Sequence, residues 1–245
     1  GLIVRFDESS SLIEFPSVKL EPDVRRLGEI LEVLFDKEVA KESNPSTPIY
    51  YMYRNVAGSL DETLRNMGLR HDVTVMPPRL IGREYAKTLG HYHPEAARGL
   101  SYPELYSVVR GEAHFLFQRE REGNIEEVIL IEAAEGAKVL IPPNYGHVTI
   151  NPSARSLILS NLVCSSFQPI YEPYRKHGGA AYYELAGGIF EKNKNYAETP
   201  EIRVMEHRDT PHIFPKKPLL TAFKENPEAF TFLRDPSKLK EPFFR

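Results

Sequence analysis

A run of short β-forming segments, separated by proline, glycine and asparagine, constrains the fold of this chain more than any other feature. The run extends from about residue 50 to residue 163, and its segments are rich in β-branched and aromatic residues. This composition is typical of an antiparallel β domain. The predicted strands span residues 50–56, 72–76, 85–93, 105–110, 112–118, 127–132, 138–141, 147–151 and 157–163. The sequence therefore predicts an all-β fold.

The segment before this run has a different period. After Pro22 and Asp23, which suit the start of a helix, residues 22–42 carry apolar side chains at a spacing close to that of an α-helix. These apolar positions are Val24, Leu27, Leu31, Leu34 and Phe35. We therefore expect a helix that flanks the β domain on its N-terminal side.

The segment after Thr199 combines frequent proline with phenylalanine. Proline at this density excludes long regular elements, and so many aromatic side chains argue against disorder. The phenylalanines are Phe214, Phe223, Phe230, Phe232, Phe243 and Phe244. We expect residues 1–198 to form one domain with its β core at about 50–171. Residues 199–245 should form an irregular arm on the barrel or on a second subunit. A homodimer would cover this apolar surface.

The bulk composition excludes several classes of partner. The chain has 245 residues, of which 41% are hydrophobic, enough for one sizeable core. Its net charge is −3 and it has no block of Lys and Arg, so neither nucleic acid nor an anionic membrane is expected as a partner. No apolar run reaches the ~18 residues of a membrane span and no signal peptide is evident, which predicts a cytoplasmic protein. The single cysteine, Cys164, lies in an apolar segment and is expected to be a buried, inert thiol.

One group of residues has the composition of a metal site. His91 and His93 alternate along a predicted strand and would point to the same face, where Glu104 and His147 could reach them from neighbouring strands. Three imidazole nitrogens and one carboxylate oxygen suit a divalent transition metal. A lone His-x-His is weak evidence, but the two further ligands favour a four-ligand site. We expect one ion per subunit, Fe²⁺ first, with Mn²⁺, Ni²⁺, Co²⁺ or Zn²⁺ as alternatives.

Three motifs resemble those of the cupin-type glucose-6-phosphate isomerases, found mainly in archaea and some bacteria. They are Thr-Leu-Gly-His-Tyr-His at 88–93, Tyr-Pro-Glu-Leu-Tyr at 102–106 and Val-Leu-Ile-Pro-Pro-Asn-Tyr-Gly-His-Val-Thr-Ile-Asn at 139–151. The resemblance covers about half of the chain. It implies a cupin barrel, that is, a double-stranded β-helix or jelly roll. It also implies that the four candidate ligands hold one divalent metal.

The same resemblance implies a substrate site in the mouth of the barrel. The phosphate of a sugar phosphate would be bound by the hydroxyls of Thr74 and Thr88 and by the amide of Gly90. Hydroxyl and amide donors can bind a phosphate without a basic patch. Three tyrosines would line the pocket: Tyr50, Tyr106 and Tyr171.

An aldose–ketose isomerase must move hydrogen between C1 and C2. A metal at the carbonyl oxygen would act as a Lewis acid. Glu104 is the natural base for a proton-transfer route through a cis-enediol, and Tyr106, two residues further on, could protonate or orient an oxygen. A hydride shift is the alternative, and the sequence does not distinguish the two routes.

Three other functions compete with this interpretation. An Fe(II) dioxygenase of the cupin fold can use the same ligands but requires an apolar pocket for O₂. A non-catalytic sugar-binding cupin should have lost ligands, whereas all four are present here. An isomerase for another sugar phosphate, such as mannose 6-phosphate, remains open. The chain also departs from the family pattern in a longer loop between His93 and Glu104 and in lacking an acidic-His motif after Val163, near which His177 is either a substitute or a surface residue.

Overall fold

The computed structural model describes residues 4–15, 19–206 and 217–239. Its strands are β1 Arg5–Asp7, β2 Leu12–Glu14, β3 Asp23–Arg26, β4 Pro48–Tyr53, β5 Leu69–Met76, β6 Leu80–Ile81, β7 Glu84–Tyr85, β8 Glu95–Ala97, β9 Leu100–Ser101, β10 Glu104–Arg110, β11 Glu112–Arg121, β12 Asn124–Ala134, β13 Lys138–Ile141, β14 Gly146–Ile150, β15 Leu157–Cys164, β16 Tyr182–Leu185, β17 Ile189–Lys192 and β18 Ile202–Glu206. The helices are α1 Lys37–Lys41, α2 Asp61–Asn66, α3 Glu172–His177 and α4 Leu219–Glu225. None of the helices within these described ranges has the length and apolarity needed to cross a membrane.

Two sheets form the barrel. The larger has the strand order β13-β10-β15-β5-β4-β3, and the smaller has the order β14-β11-β12-β18. All pairs in these sheets are antiparallel except β12 with β18. The core between the sheets includes Val108 and Leu159 from the larger sheet and Phe115 and Ile129 from the smaller. The predicted all-β cupin barrel is confirmed.

Strand β15 is mostly apolar because both of its faces are covered. All eight of its residues are buried, which is expected of a central strand covered on both faces. Leu159 packs into the barrel core, whereas Leu162 packs on the outside against a cluster that contains Phe223 and Phe230 of the C-terminal arm. The predicted inert thiol, Cys164, is free and buried at the end of this strand.

The predicted N-terminal helix is wrong. Residues 23–41 instead form β3, two 3₁₀ turns at Leu27–Glu29 and Leu31–Val33, and the short helix α1. The buried side chains of Leu27, Ile30 and Val33 are spaced by three, which is the period of a 3₁₀ turn and is easily taken for that of an α-helix. Strand β3 forms because its backbone pairs with the edge of β4, a long-range contact that helical periodicity does not register.

The predicted strand at 85–93 is also wrong over most of its length. Only Glu84–Tyr85 forms a ladder, and the following residues make isolated bridges, among them His91 with His147. Gly90 has a φ of +85°, which ends regular strand geometry at the point where the ligands begin. A Cβ at Gly90 would lie 2.6 Å from the ring of Tyr174 and 2.7 Å from Val148, so the packing also requires glycine.

The described part of the C-terminal arm packs on its own barrel. Strand β18 extends the smaller sheet. Helix α4 and the following 3₁₀ segments bury Phe223, Phe230 and Phe232 against the outer face of the larger sheet. The elements are short, as proline predicts, although a strand and a helix make the arm more regular than expected. Phe214, Phe243 and Phe244 lie outside the described residues. The homodimer stays a prediction.

Candidate metal centre and substrate pocket

The four predicted ligands come together on the inner wall of the barrel. Their ligand atoms all lie within 4.8 Å of one another. Nε2 of His91 is 3.1 Å from Nε2 of His93, and Oε2 of Glu104 is 3.4 Å from Nε2 of His93 and 3.7 Å from Nε2 of His147. The motif spacing therefore translates into one compact cluster.

Backbone hydrogen bonds hold the ligands in position. His91 N donates to His147 O at 3.2 Å, and His147 N donates to His91 O at 3.0 Å, so the two residues face each other across an antiparallel bridge. Glu104 begins β10, where it pairs with Ile141 on one side and Val163 on the other. The cluster thus joins both sheets through the backbone, which limits how far the ligands can separate.

The protonation states suit metal binding. Burial lowers the pKa of His91 far below its ordinary range, and the nearby imidazoles lower it further. Burial also lowers the pKa of His147 to about 3. Burial alone would raise the pKa of the Glu104 carboxyl, but the hydrogen bond and charge of His93, with the charges of His147 and Arg70, outweigh it and leave that pKa below its ordinary value. Neutral imidazoles and an ionised carboxylate are the forms that bind a metal.

Unsatisfied polar atoms indicate that the cluster fits a cation. Both ring nitrogens of His147 are buried, and neither has a hydrogen-bond partner among the residues that the structure describes. Ligands about 2.1 Å from one ion would lie about 3 Å apart at right angles and about 4.2 Å apart across it. Three of the separations, 3.1, 3.4 and 3.7 Å, fall between these two values, and all four ligand atoms lie within 4.8 Å of one another without an ion.

Two further residues orient the ligands. His93 Nδ1 donates to Tyr102 O at 2.8 Å, which fixes the proton on Nδ1 and leaves Nε2 facing the cluster. Asn161 Nδ2 donates to Glu104 Oε1 at 2.6 Å, which leaves Oε2 facing the imidazoles. The sequence analysis missed Asn161. The sequence carried a signal for it, because Asn161 is an amide within the buried, mostly apolar strand Leu-Ile-Leu-Ser-Asn-Leu-Val-Cys. A buried amide requires a hydrogen-bond partner.

Tyr106 lies beside the cluster as its position on β10 predicts. Its ring centroid is 6.1 Å from that of His147. Burial raises the pKa of Tyr106 far above its ordinary value, and the charge of Glu104 and a hydrogen bond to it add to this effect. The phenol therefore stays protonated and can donate a hydrogen bond.

The five predicted substrate-binding residues lie along the same wall or next to it. Thr88 Oγ1 accepts a hydrogen bond from Thr149 N at 3.0 Å, so its own hydroxyl proton is free to be donated elsewhere. Thr74 is half-buried on β5, opposite Met52 and Leu159. Gly90 directly precedes the ligand His91. The hydroxyl of Tyr50 accepts a hydrogen bond from Leu89 N at 3.5 Å. The ring of Tyr171 lies 5.5 Å from that of His91.

The pocket also contains charged residues that the sequence analysis did not assign. Arg54 Nη1 and Arg70 Nε donate to the same oxygen of Asp72, at 2.8 and 2.9 Å, and the side chain of Asp72 is fully buried. Arg25 stands opposite Tyr50 on β3. Arginines therefore lie beside two of the predicted substrate-binding residues, because Asp72 is on the same strand as Thr74 and Arg25 is opposite Tyr50.

His177 belongs to a different part of the surface. It ends α3, stacks on the ring of Tyr196 at 4.2 Å, and has Nδ1 3.1 Å from Asn195 O. These contacts do not connect it to the ligand cluster. The structure does not use His177 as a substitute for the missing motif.

The fold and the cluster together define a cupin with a four-ligand metal-site geometry. Comparison with known sequences adds the family: the chain belongs to the glucose-6-phosphate isomerase (GPI) family, whose sequence model matches residues 24–201. The glucose-6-phosphate isomerase of Thermococcus onnurineus is 30% identical over 128 residues, which are 52% of this chain and 61% of that protein. The enzyme of Thermococcus litoralis is 29% identical over 159 residues, 63% of this chain and 74% of that protein. That of Pyrococcus horikoshii is 29% identical over 150 residues, 60% and 70% of the two chains.

Proposed function

We propose that this chain is a metal-dependent aldose–ketose isomerase that interconverts glucose 6-phosphate and fructose 6-phosphate. The observation that carries the proposal is the cluster of His91, His93, Glu104 and His147 in a chain whose family match spans the same residues. One divalent ion per subunit, Fe²⁺ as first choice, would be held by these four side chains. Since sugar phosphates are retained within cells, the proposal is consistent with the predicted cytoplasmic location.

The ion, when bound, would supply Lewis acidity at the carbonyl oxygen of the sugar. Glu104 is proposed as the base that removes the proton from one carbon and returns it to the other. Its lowered pKa keeps it ionised at neutral pH, and the hydrogen bond from Asn161 holds one of its oxygens in place. A general base acts from within hydrogen-bonding distance of the proton it moves.

Tyr106 is proposed as the donor that orients or protonates a substrate oxygen. Because its pKa lies far above the ordinary value, the phenol is protonated throughout the working pH range. Thr74, Thr88 and the Gly90 amide are proposed to contact the phosphate, with Tyr50 and Tyr171 lining the pocket beside them. The charged and hydroxylated wall favours an anionic sugar over the apolar pocket that a dioxygenase requires.

A coupled assay tests the reaction directly. Fructose 6-phosphate is supplied to protein loaded with each candidate metal, and glucose 6-phosphate and mannose 6-phosphate are measured separately. We expect glucose 6-phosphate, loss of activity with EDTA, and recovery on adding metal. Mannose 6-phosphate as the main product would reassign the substrate, and activity that survives complete metal removal would refute metal dependence.

Glu104→Gln tests the assigned base. The variant keeps the size of the side chain and should lower kcat far more than it raises KM, because interactions made in the transition state appear in kcat. Isomerisation in D₂O provides a second measurement. Proton transfer through Glu104 should bring solvent deuterium into the product, whereas an unlabelled product would support a hydride shift and reject Glu104 as the base.

A further inference from the structure

Arg25 lies on the inner wall of the barrel, a position that the sequence did not predict because this segment was expected to be a helix. It lies on β3, directly opposite Tyr50 of β4. Residues directly opposite each other on neighbouring strands project from the same face of a sheet. Tyr50 belongs to the barrel core, so Arg25 projects toward the same side. Its guanidinium carbon lies 5.9 Å from the centre of the Tyr171 ring.

The charge of Arg25 is less neutralised than that of its neighbours. Arg54 and Arg70 both bind the buried carboxylate of Asp72. The carboxylate partner of Arg25 is Glu29, at 3.2 Å, whose side chain is 46% exposed. An exposed ion pair of this kind contributes little and exchanges readily with water.

Arg25 also retains an unused donor. Its Nε is buried and has no hydrogen-bond partner among the residues that the structure describes. Burial lowers the pKa of Arg25, but its contacts with Tyr50, Tyr171 and Glu29 outweigh this and leave the pKa above its ordinary value. The side chain is therefore a permanent cation, and a buried donor without an acceptor is a costly feature that a bound anion would relieve.

One aromatic ring, that of Tyr171, lies between Arg25 and the metal ligand His91. The Tyr171 ring contacts both groups, since it lies 5.5 Å from the ring of His91 and 5.9 Å from the Arg25 guanidinium. If C1 and C2 are at the ligand cluster, the phosphate on C6 lies one sugar length away. The Leu89 amide, which contacts the Tyr50 hydroxyl, adjoins the predicted phosphate contacts at Thr88 and Gly90.

We propose that Arg25 binds the phosphate group of the substrate through charge-assisted hydrogen bonds and thereby sets the preference for phosphorylated over free sugars. The inference rests on the proposed function for the identity of the substrate. The phosphate subsite would then contain a positively charged guanidinium as well as the neutral hydroxyl donor of Thr88 and the amide donor of Gly90.

The test compares Arg25→Gln and Arg25→Lys with Arg26→Gln in metal-loaded protein. Arg26→Gln removes the same charge from the next residue on β3, whose exposed side chain donates to Ser46 O at 2.8 Å. For each variant, KM and kcat are measured with fructose 6-phosphate, and the affinity for inorganic phosphate is measured by calorimetry. Thermal melting shows whether each variant is folded.

Arg25→Gln should raise KM by about 10- to 100-fold and weaken phosphate binding in the same proportion, the loss expected for a charge-assisted hydrogen bond. Its kcat should change little, because the phosphate is bound equally in the ground and transition states. Arg25→Lys should recover part of the affinity, and Arg26→Gln should match the wild type.

A folded Arg25→Gln protein with unchanged KM and unchanged phosphate affinity would overturn the inference. If that variant does not fold, Arg25→Lys decides, since wild-type values for it would exclude any need for the guanidinium fork. The phosphate titration separates this result from the reaction itself. A wild-type protein that isomerises neither hexose phosphate would refute the proposed function, while the effect of Arg25 on phosphate affinity would still be measured.

Discussion

Replacing Asn161 should weaken metal binding although Asn161 is not itself a ligand. The substitution Asn161→Leu keeps the branched shape and the number of heavy atoms but removes the 2.6 Å hydrogen bond to Glu104 Oε1, leaving one oxygen of a buried carboxylate without its donor. A hydrogen bond to a charged group contributes about 1.5–3 kcal/mol. Substituting a residue that orients a metal ligand typically lowers the affinity for metal by about 10- to 100-fold, in agreement with that energy. We therefore expect the dissociation constant for metal to rise by about this factor.

The assay is competition for Zn²⁺ between the protein and a chromophoric chelator, with melting of the metal-free protein measured alongside. Ser160→Ala is the matched control, because Ser160 is buried on the same strand and its neighbouring position places its side chain on the opposite face. The control should bind Zn²⁺ like the wild type. A folded Asn161→Leu protein with wild-type affinity would show that Glu104 needs no support, and the reasoning about its orientation would fail.

Three further predictions concern stability and assembly. Burial lowers the pKa of His71 to about 4 against about 6.5 when unfolded, so the unfolded chain binds more protons between these values, and stability should fall by about 3 kcal/mol as pH drops through that window. In metal-free protein, urea denaturation of His71→Gln should show a correspondingly flatter pH dependence, and an identical slope would contradict this assignment. Gly90→Ala should cost about 2–5 kcal/mol from backbone strain and the clash with Tyr174, whereas Gly99→Ala, at φ +76° with open space around it, should cost only about 1–2 kcal/mol. Equal losses in urea denaturation would exclude the clash. A chain ending at Thr199 should melt at a lower temperature than the full chain, because the truncation uncovers the outer face of β15. Sedimentation of the full chain should give a dimer, and a monomer would refute the predicted assembly.

Local sequence patterns predicted the centre of the fold well. Strand β15 and the hairpin of β11 and β12 consist of residues whose burial and β propensity agree, so their positions follow from composition alone. The ligands were predictable for a different reason. His91, His93, Glu104 and His147 form a motif whose chemistry is specific once all four residues are considered together.

The elements that were missed depend on contacts distant in sequence. Strand β3 exists because it pairs with β4, and its residues have no strong strand pattern of their own. Assigning this segment to a helix also hid Arg25, since a helix would not have aligned it with Tyr50. The segment at 85–93 was assigned as a strand because its composition permits one, whereas the positive φ of Gly90 and the packing of Tyr174 determine its actual course.

The larger sheet carries both ends of the proposed substrate site on different strands. Glu104 and Asn161 lie on β10 and β15, whereas Arg25 lies on the edge strand β3, four strand steps from β10. Along a flat sheet that separation would be about 19 Å, at about 4.8 Å per step. Curvature of the barrel brings the edge strand close enough for the Tyr171 ring to contact both Arg25 and His91, and a register shift directly after Arg25 bends this edge further. Substitution of Arg25 should therefore alter phosphate binding and leave metal affinity intact, while substitutions at Glu104 or Asn161 should do the reverse.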